Sequence, residues 1–325
     1  MRDRYGPPDV VEVREVDRPE PTGDQVLVRV HVASVNRADL DGILPRWAFI
    51  RLFAGFRVPR IKTVGIDVAG VVDEIGPDVT RFKPGDRVFG DLISHGSGAF
   101  AEYVAAPEKA FLPIPDGMSL EVAATLPHSA VLALQALRTG SGRTIRPGDQ
   151  VLVDGASGNV GPFAVQIAKA MGAVVTGSTR TEKLDFVRSL GADHVIDYTT
   201  TDYTRGGARY DWIVDVDSHH PVLAVRRALK PGGVYLTCGG SALGMLGAVF
   251  GGAVIGRATG KWIGMMLWWK PFNPNDVARL SQLVADGVIQ PVIDSRYPLD
   301  DVVGALRQVN DGRARGKVLV TVVPE

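Results

Sequence analysis

The sequence predicts an α/β protein: a doubly wound parallel sheet accompanied by a smaller, mostly-β, barrel-like domain. Three observations predict it. Residues 150–180 run through a β-branched segment, a glycine turn, an apolar helical repeat and a second β-branched segment. Strand-like and helix-like segments go on alternating from there to about residue 260, which is the pattern of a parallel sheet. The first 110 residues differ, with short strands at irregular spacing broken by Gly and Pro, which suits a small barrel.

Within the first part, residues 10–16 alternate until Pro19 and Pro21 break the pattern. Residues 25–35 alternate over a full strand length with Arg29 and His31 on the polar face, so His31 reads as a surface residue rather than a ligand. Residues 68–75 and 87–89 are further strands. The turn Lys83-Pro84-Gly85-Asp86 is echoed by Arg146-Pro147-Gly148-Asp149, which marks two similar strand entries. From 120 to 137 the pattern is helical, interrupted by Pro127, and this segment carries the chain from one domain to the other.

The glycine unit follows. Val151, Leu152 and Val153 form a buried strand that stops at Asp154, and Gly155, Gly158 and Gly161 are spaced three apart. Val160, Ala164, Ile167, Ala168 and Met171 recur at helical spacing before Gly172 ends the helix. A phosphate can approach backbone N–H groups where side chains are missing, and the helix N-terminus adds partial positive charge. The turn Gly155-Ala156-Ser157-Gly158-Asn159-Val160 is therefore a candidate pyrophosphate cradle. Its spacing departs from the dinucleotide fingerprint, so a tight turn without a ligand is the alternative. The next strand ends in Ser178, Thr179 and Arg180, with Lys183 close behind. An NAD site usually has an acid here. Hydroxyls and two cations instead suit a 2′-phosphate and favour NADPH, although Arg180 and Lys183 could simply be solvated charges at a helix start.

The alternation continues with a helix over 181–190, strands over 194–197 and 212–216, a helix over 221–229 and a strand over 234–238. Ligands of such sheets sit at the carboxyl ends of strands, here Gly155, Ser178, Asp215 and Cys238-Gly239-Gly240. Helices are expected over 276–286 and 299–308. A last strand over 317–322 is expected to pair back with the barrel, because the parallel sheet is complete by about residue 260.

With 36 basic and 36 acidic residues, nothing points to nucleic acid. Cys238 is the single cysteine, which excludes an internal disulfide and thiolate-rich zinc sites and fits a reducing, cytoplasmic setting. The first residues, Met1-Arg2-Asp3-Arg4, are charged with no apolar run behind them, so no secretory signal is expected. Residues 241–256 and 262–269 are strongly apolar but each too short to span a bilayer. A buried helix or pocket-lining loop is the favoured reading there, and membrane contact is disfavoured. Segments 41–60 and 241–270 show neither a placeable pattern nor an obvious proton donor.

Residues 33–39 (ASVNRAD), 65–72 (GIDVAGVV), 82–88 (FKPGDRV), 98–103 (GAFAEY), 155–168, 190–198 (LGADHVIDY) and 312–318 (GRARGKV) together resemble the zinc-independent medium-chain dehydrogenase/reductases, the quinone oxidoreductase and ζ-crystallin-like branch. The resemblance spans nearly the entire chain. It implies a GroES-like domain over 1–115 and 268–325 and a Rossmann domain over 116–267. It also implies hydride transfer from NADPH to a quinone or an α,β-unsaturated carbonyl, and a homodimer. By motif, Asn36 and Asp39 line the nicotinamide side and are the catalytic candidates. Gly158, Asn159 and Val160 take the pyrophosphate, and Ser178, Arg180, Lys183 and Tyr198 surround the 2′-phosphate. Cys238, Gly239 and Gly240, with Arg315, Gly316 and Lys317, flank the nicotinamide half. Zinc-dependent relatives bind metal where this chain has Asn36, Ile66 and Asp67, so no metal is expected. Where many relatives have Thr in the helix near the nicotinamide, this chain has Leu132, close to His128 and Ser129. A non-catalytic NADPH-binding sensor, or a crystallin-like structural protein, is the alternative.

Overall fold

The computed structural model describes residues 1–45, 55–217 and 219–323. Part of the unplaced segment 41–60 therefore lies outside the described residues. In chain order the elements begin with β1 (Gln25–Val35), α1 (Arg37–Ile43), β2 (Asp67–Ile75), β3 (Arg87–Asp91), β4 (Tyr103–Pro107) and β5 (Phe111–Pro113). Then come α2 (Leu120–Thr125), α3 (Val131–Ala136), β6 (Gln150–Asp154), α4 (Gly161–Ala170), β7 (Val174–Thr179), α5 (Leu184–Ser189) and β8 (His194–Asp197). They are followed by β9 (Tyr210–Asp215), α6 (Val222–Ala228), β10 (Leu229–Thr237), α7 (Ala242–Leu246), α8 (Gly252–Thr259) and β11 (Trp262–Met265). The chain closes with α9 (Pro274–Ala285), β12 (Ile293–Pro298), α10 (Val302–Asn310) and β13 (Lys317–Thr321). Single π-turns, Leu126–Ala130 and Gly247–Gly251, join α2 to α3 and α7 to α8. The first holds Pro127, so the proline widens the helix without ending it.

The chain divides into two compact units, Met1–Val131 with Pro271–Ala285 and Pro291–Glu325, and Leu132–Lys270 with Asp286–Gln290. Residues 116–131 fall in the first unit, whereas the resemblance implies the second.

The first unit is the mostly-β one. Its sheet runs β12-β13-β1-β2-β3-β5, and β4 also pairs with β1. The last strand does return: β13 lies antiparallel to β1, with Val35 opposite Val318 and Val32 opposite Thr321. Nearly all of β1 is buried, on both faces of its sheet, which corrects one expectation. Arg29 is exposed, but His31 is buried. Residues 10–16 form no strand; Val10 and Val11 enter the core while Val13 and Val16 stay exposed. The local bonds Val11 N–H to Pro8 O and Glu12 N–H to Met1 O satisfy that backbone instead. α10 lays Val302, Ala305, Leu306 and Val309 into the same core as Val28, Val68 and Phe111, an i, i+3, i+4, i+7 stripe.

The second unit is a six-stranded sheet in the order β11-β10-β9-β6-β7-β8, and its neighbouring strands are all parallel among the described residues. Its sixth strand, β11, lies beyond residue 260, so the expected completion point is too early. The central strands are apolar on both faces, with Val151, Leu152, Val153, Ile213 and Val214 fully buried, as a sheet covered by helices requires. Trp212 is buried there too, and its indole N–H donates to Ala136 O at 3.0 Å.

Candidate cofactor and catalytic sites

The second unit assembles its candidate site at the carboxyl ends of β6, β7 and β8. The chain leaves β6 at Gly155 with φ +82°, a conformation that a side chain would strain. It enters α4 at Gly161, where a Cβ would lie 2.3 Å from Gly155 O. Only glycine allows this close return of the turn on itself. The Ser157 hydroxyl is 2.7 Å from that of Thr179, and Ala156 N–H donates to Ser178 O at 3.0 Å, which stitches the turn to the end of β7. No side chain caps the N-terminus of α4. The cradle therefore offers an anion the first-turn N–H groups and the positive end of the helix dipole.

Beside it, Ser178 and Thr179 are buried at the end of β7, and Arg180 follows. The Arg180 Nε donates to the Tyr198 hydroxyl at 3.1 Å, and Glu182 lies 3.5 Å from the same guanidinium. The Tyr198 hydroxyl, with Glu182, holds the Arg180 pKa above its ordinary value. Thr181 donates to Asp197 at 2.5 Å. This hydroxyl and that of Thr199 hold the Asp197 carboxyl below the usual range, so it stays a committed anion one strand over. Lys183 is buried in the turn that starts α5. Gly155–Val160, Ser178–Lys183 and Tyr198 thus come from three adjacent strand ends.

Further along the same sheet edge, Asp215 is fully buried and accepts from the Tyr235 hydroxyl at 2.8 Å. Cys238 follows β10 with its Sγ 3.6 Å from Met266 Sδ, and burial pushes its thiol up to about 12. It is an inert thiol at neutral pH. Thr237 donates to Gly239 O at 2.8 Å, and Gly240 takes φ +119°.

Asn36, Asp39, Arg315, Gly316 and Lys317 all belong to the first unit. Arg315 is exposed and Gly316 buried, with φ +96° and room for no Cβ, since one would sit 2.5 Å from Val292 O. Lys317 is different: it is fully buried in a polar cluster. Its Nζ donates to Asn36 Oδ1 at 2.6 Å, Ser129 Oγ at 3.1 Å and Asp67 Oδ2 at 3.4 Å. Ser129 Oγ donates to the same Asn36 oxygen at 2.8 Å. The Asn36 amide nitrogen donates to Asp67 Oδ2 at 2.8 Å and to Ser34 O at 3.2 Å. Asp67 also accepts from Ser34 Oγ at 2.9 Å and, on its other oxygen, from His128 N–H at 3.1 Å. His128 Nδ1 lies 3.1 Å from Asp91 Oδ2.

Both donors and both lone pairs of the Asn36 amide are therefore occupied within the protein. Asp39, buried at the start of α1, accepts Asn36 N–H on Oδ2 at 2.8 Å, while its Oδ1 is buried with no hydrogen-bond partner among the described residues. Burial, aided by the charge of Asp67, pushes the Asp39 carboxyl up to about 7. Burial also lowers Lys317, against the opposing pull of Asp67. For His128 burial pulls the pKa down, but the bond to Asp91 and the charge of Asp67 outweigh it and the net shift is upward. Asn36, Asp39 and Lys317 are candidates from the sequence one by one; the cluster that joins them with Ser34, Asp67, Asp91, His128 and Ser129 is visible only in the structure. Its one available signal was a set of polar residues at the ends of otherwise apolar strands.

Comparison with known proteins adds the following. Residues 22–116 match the family model for the alcohol dehydrogenase GroES-like domain, and residues 190–320 the model for zinc-binding dehydrogenases. The chain is 33% identical to a mitochondrial NAD(P)H oxidoreductase, RTN4IP1, of Bos taurus, over 92% of this chain and 82% of that one. It is 33% identical to the trans-enoyl reductase pgmF of Aspergillus terreus, over 92% of this chain and 86% of that one. The solved quinone oxidoreductase of Coxiella burnetii superposes with a TM-score of 0.85 at 26% identity, covering 99% of this chain and 98% of the other.

Proposed function

The chain belongs to the medium-chain dehydrogenase/reductase family, and on that premise we propose that it is an NADPH-dependent reductase of quinones or α,β-unsaturated carbonyls that works without zinc. It is an oxidoreductase of the quinone/enone reductase type, and its redox partner is a nicotinamide cofactor.

The observation that carries the choice of NADPH is the end of β7. A glycine cradle and an uncapped helix N-terminus suit the pyrophosphate, and Arg180 with Lys183 supplies positive charge where a 2′-phosphate would lie. Ser157, Thr179 and Tyr198 add hydroxyls around it. When bound, the cofactor supplies the hydride. The residues of this chain hold its phosphates, and Asp39, neutral for part of the time near pH 7, stores a proton.

The donor set does not suit zinc, although one matching family model is described as zinc-binding. Ile66 carries no ligand atom. The Asn36 amide and the Asp67 carboxylate are spent on neighbours, and the Lys317 ammonium already brings a positive charge to within 2.6 Å of Asn36. A dication there would compete with these hydrogen bonds and meet like charge. A homodimer fits the resemblance and remains part of the proposal.

The test is oxidation of NADPH and NADH by the purified chain against a panel of quinones and enones, with and without chelator. Turnover that prefers NADPH and ignores chelator is expected. A preference for NADH would overturn the 2′-phosphate assignment, and chelator-sensitive turnover the zinc-free one. Cofactor binding with no turnover would favour a sensor.

A further inference from the structure

The apolar stretch after β10 does not fold as a buried helix or a pocket loop. α7, the π-turn and α8 form one continuous helical run beside α6. The two runs cover the same core, with Val222 and Val225 of α6 and Ala248 of the π-turn packed in one cluster. The shared face follows from topology, because the crossovers β9→β10→β11 step in one direction along the sheet. Gly247 abuts Val222, where a Cβ would meet the side chain at 3.2 Å. On the outer side of this pair the apolar residues are uncovered: Leu223 is 57% exposed, Phe250 73% and Val254 70%, with Leu246 at 39%.

Charge identifies the occupant. From Ser218 to Asn275 the chain has six Lys or Arg and not one Asp or Glu, although the whole chain balances 36 against 36. Two of those cations are tied up: Lys230 pairs with Asp211, and the Lys261 ammonium bonds the carbonyls of Arg226 and Leu229. Arg227 and Arg257 are exposed and make no ion pair among the described residues. Each follows an exposed apolar residue by one helical turn, Leu223 before Arg227 and Val254 before Arg257. That pairing lets apolar groups enter a lipid layer while the guanidinium heads stay at phosphate level. No described helix is long and apolar enough to cross a membrane, so the contact is with its surface.

We propose that the outer face of α6 and the α7–α8 run docks on the surface of an anionic lipid bilayer. The apolar residues provide depth, and Arg227 and Arg257 provide selectivity for negative headgroups. This goes beyond the reductase reading and does not depend on it.

The test is co-sedimentation of the full chain with vesicles of phosphatidylcholine alone, or with about a third phosphatidylserine. Binding to the anionic vesicles that weakens with salt is expected, with little binding to the neutral ones. Arg227→Glu/Arg257→Glu is expected to weaken it about tenfold, and Phe250→Asp by at least as much. All three positions are on the surface, so unchanged thermal midpoints should accompany these losses. Equal binding to both vesicle types, or binding to neither, overturns the proposal. So does a Phe250→Asp chain that changes from dimer to monomer by light scattering without any change in vesicle binding, which would assign the face to a second copy.

Discussion

The two units use buried polar residues in opposite ways. In the first, Asn36, Asp67, Ser129 and Lys317 satisfy one another, and little capacity is left over. In the second, the groups at the ends of β6 and β7 are held in place but point their chemistry outward: bare N–H groups at the start of α4 and a guanidinium beside a tyrosine. A closed network fixes strand ends, whereas an open one leaves groups available to a ligand. The difference warns against reading a polar residue at a motif position as a substrate contact. Asn36 stands at such a position, yet its amide is fully engaged in the fold. Asp39, three residues later, has the one oxygen in the cluster without a partner among the described residues.

The largest effect expected from this contrast is at Lys317. Lys317→Met leaves Asp67 as a buried carboxylate short of its cation and should cost about 3–5 kcal/mol in urea unfolding. Adding Asp67→Asn to the same chain should restore part of that loss. A cost below about 1 kcal/mol for the single change would mean that the cluster is not closed as described.

Next comes Asp39. Folded, its carboxyl holds a proton up to about pH 7, while the ordinary value is 3.8. The native state therefore binds the extra proton between these values, and its contribution to stability falls as pH rises through that window. Asp39→Asn keeps an oxygen to accept Asn36 N–H and removes the titration. From pH 4 to 8 its stability should rise relative to the parent by about 2–4 kcal/mol. Parallel curves for the two chains would contradict the raised carboxyl.

In the open site, Arg180→Ala with Lys183→Ala should raise the KM for NADPH by about 10–100-fold, the value of one or two charge-assisted bonds, and leave that for NADH nearly unchanged. Equal losses for both cofactors would show that the pair serves the fold. The smallest effect belongs to the surface. Glu121 receives both Arg296 Nε and Nη2, at 2.6 and 2.7 Å, but this pair is solvated. Glu121→Gln should cost less than about 1 kcal/mol, and less still in high salt.

The open site was far more legible in the sequence than the closed one. A strand, three spaced glycines, a helix and a cation-rich strand end all lie within 150–183, so local spacing reveals them. The closed cluster joins Asn36 to Lys317 across 281 residues, and only the return of β13 onto β1 brings them together. The return could be anticipated; its register, which decides the neighbours of Lys317, could not. His31 differs from its expected place for a related reason: alternation marks a polar face, but β1 is buried on both faces from Val30 to Val35. In the 241–256 stretch composition suggested burial, whereas the structure covers one face of the helix and leaves Phe250 and Val254 outside.

The second unit is proposed to keep an open site for a 2′-phosphate. The measurement is equilibrium titration of NADPH and NADH into the intact chain and into the Arg180→Ala/Lys183→Ala chain, followed by tryptophan fluorescence. NADPH is expected to bind at least about tenfold more tightly than NADH to the parent, a difference that collapses in the variant. Equal affinities in the parent, or a preference that survives loss of both cations, would contradict it.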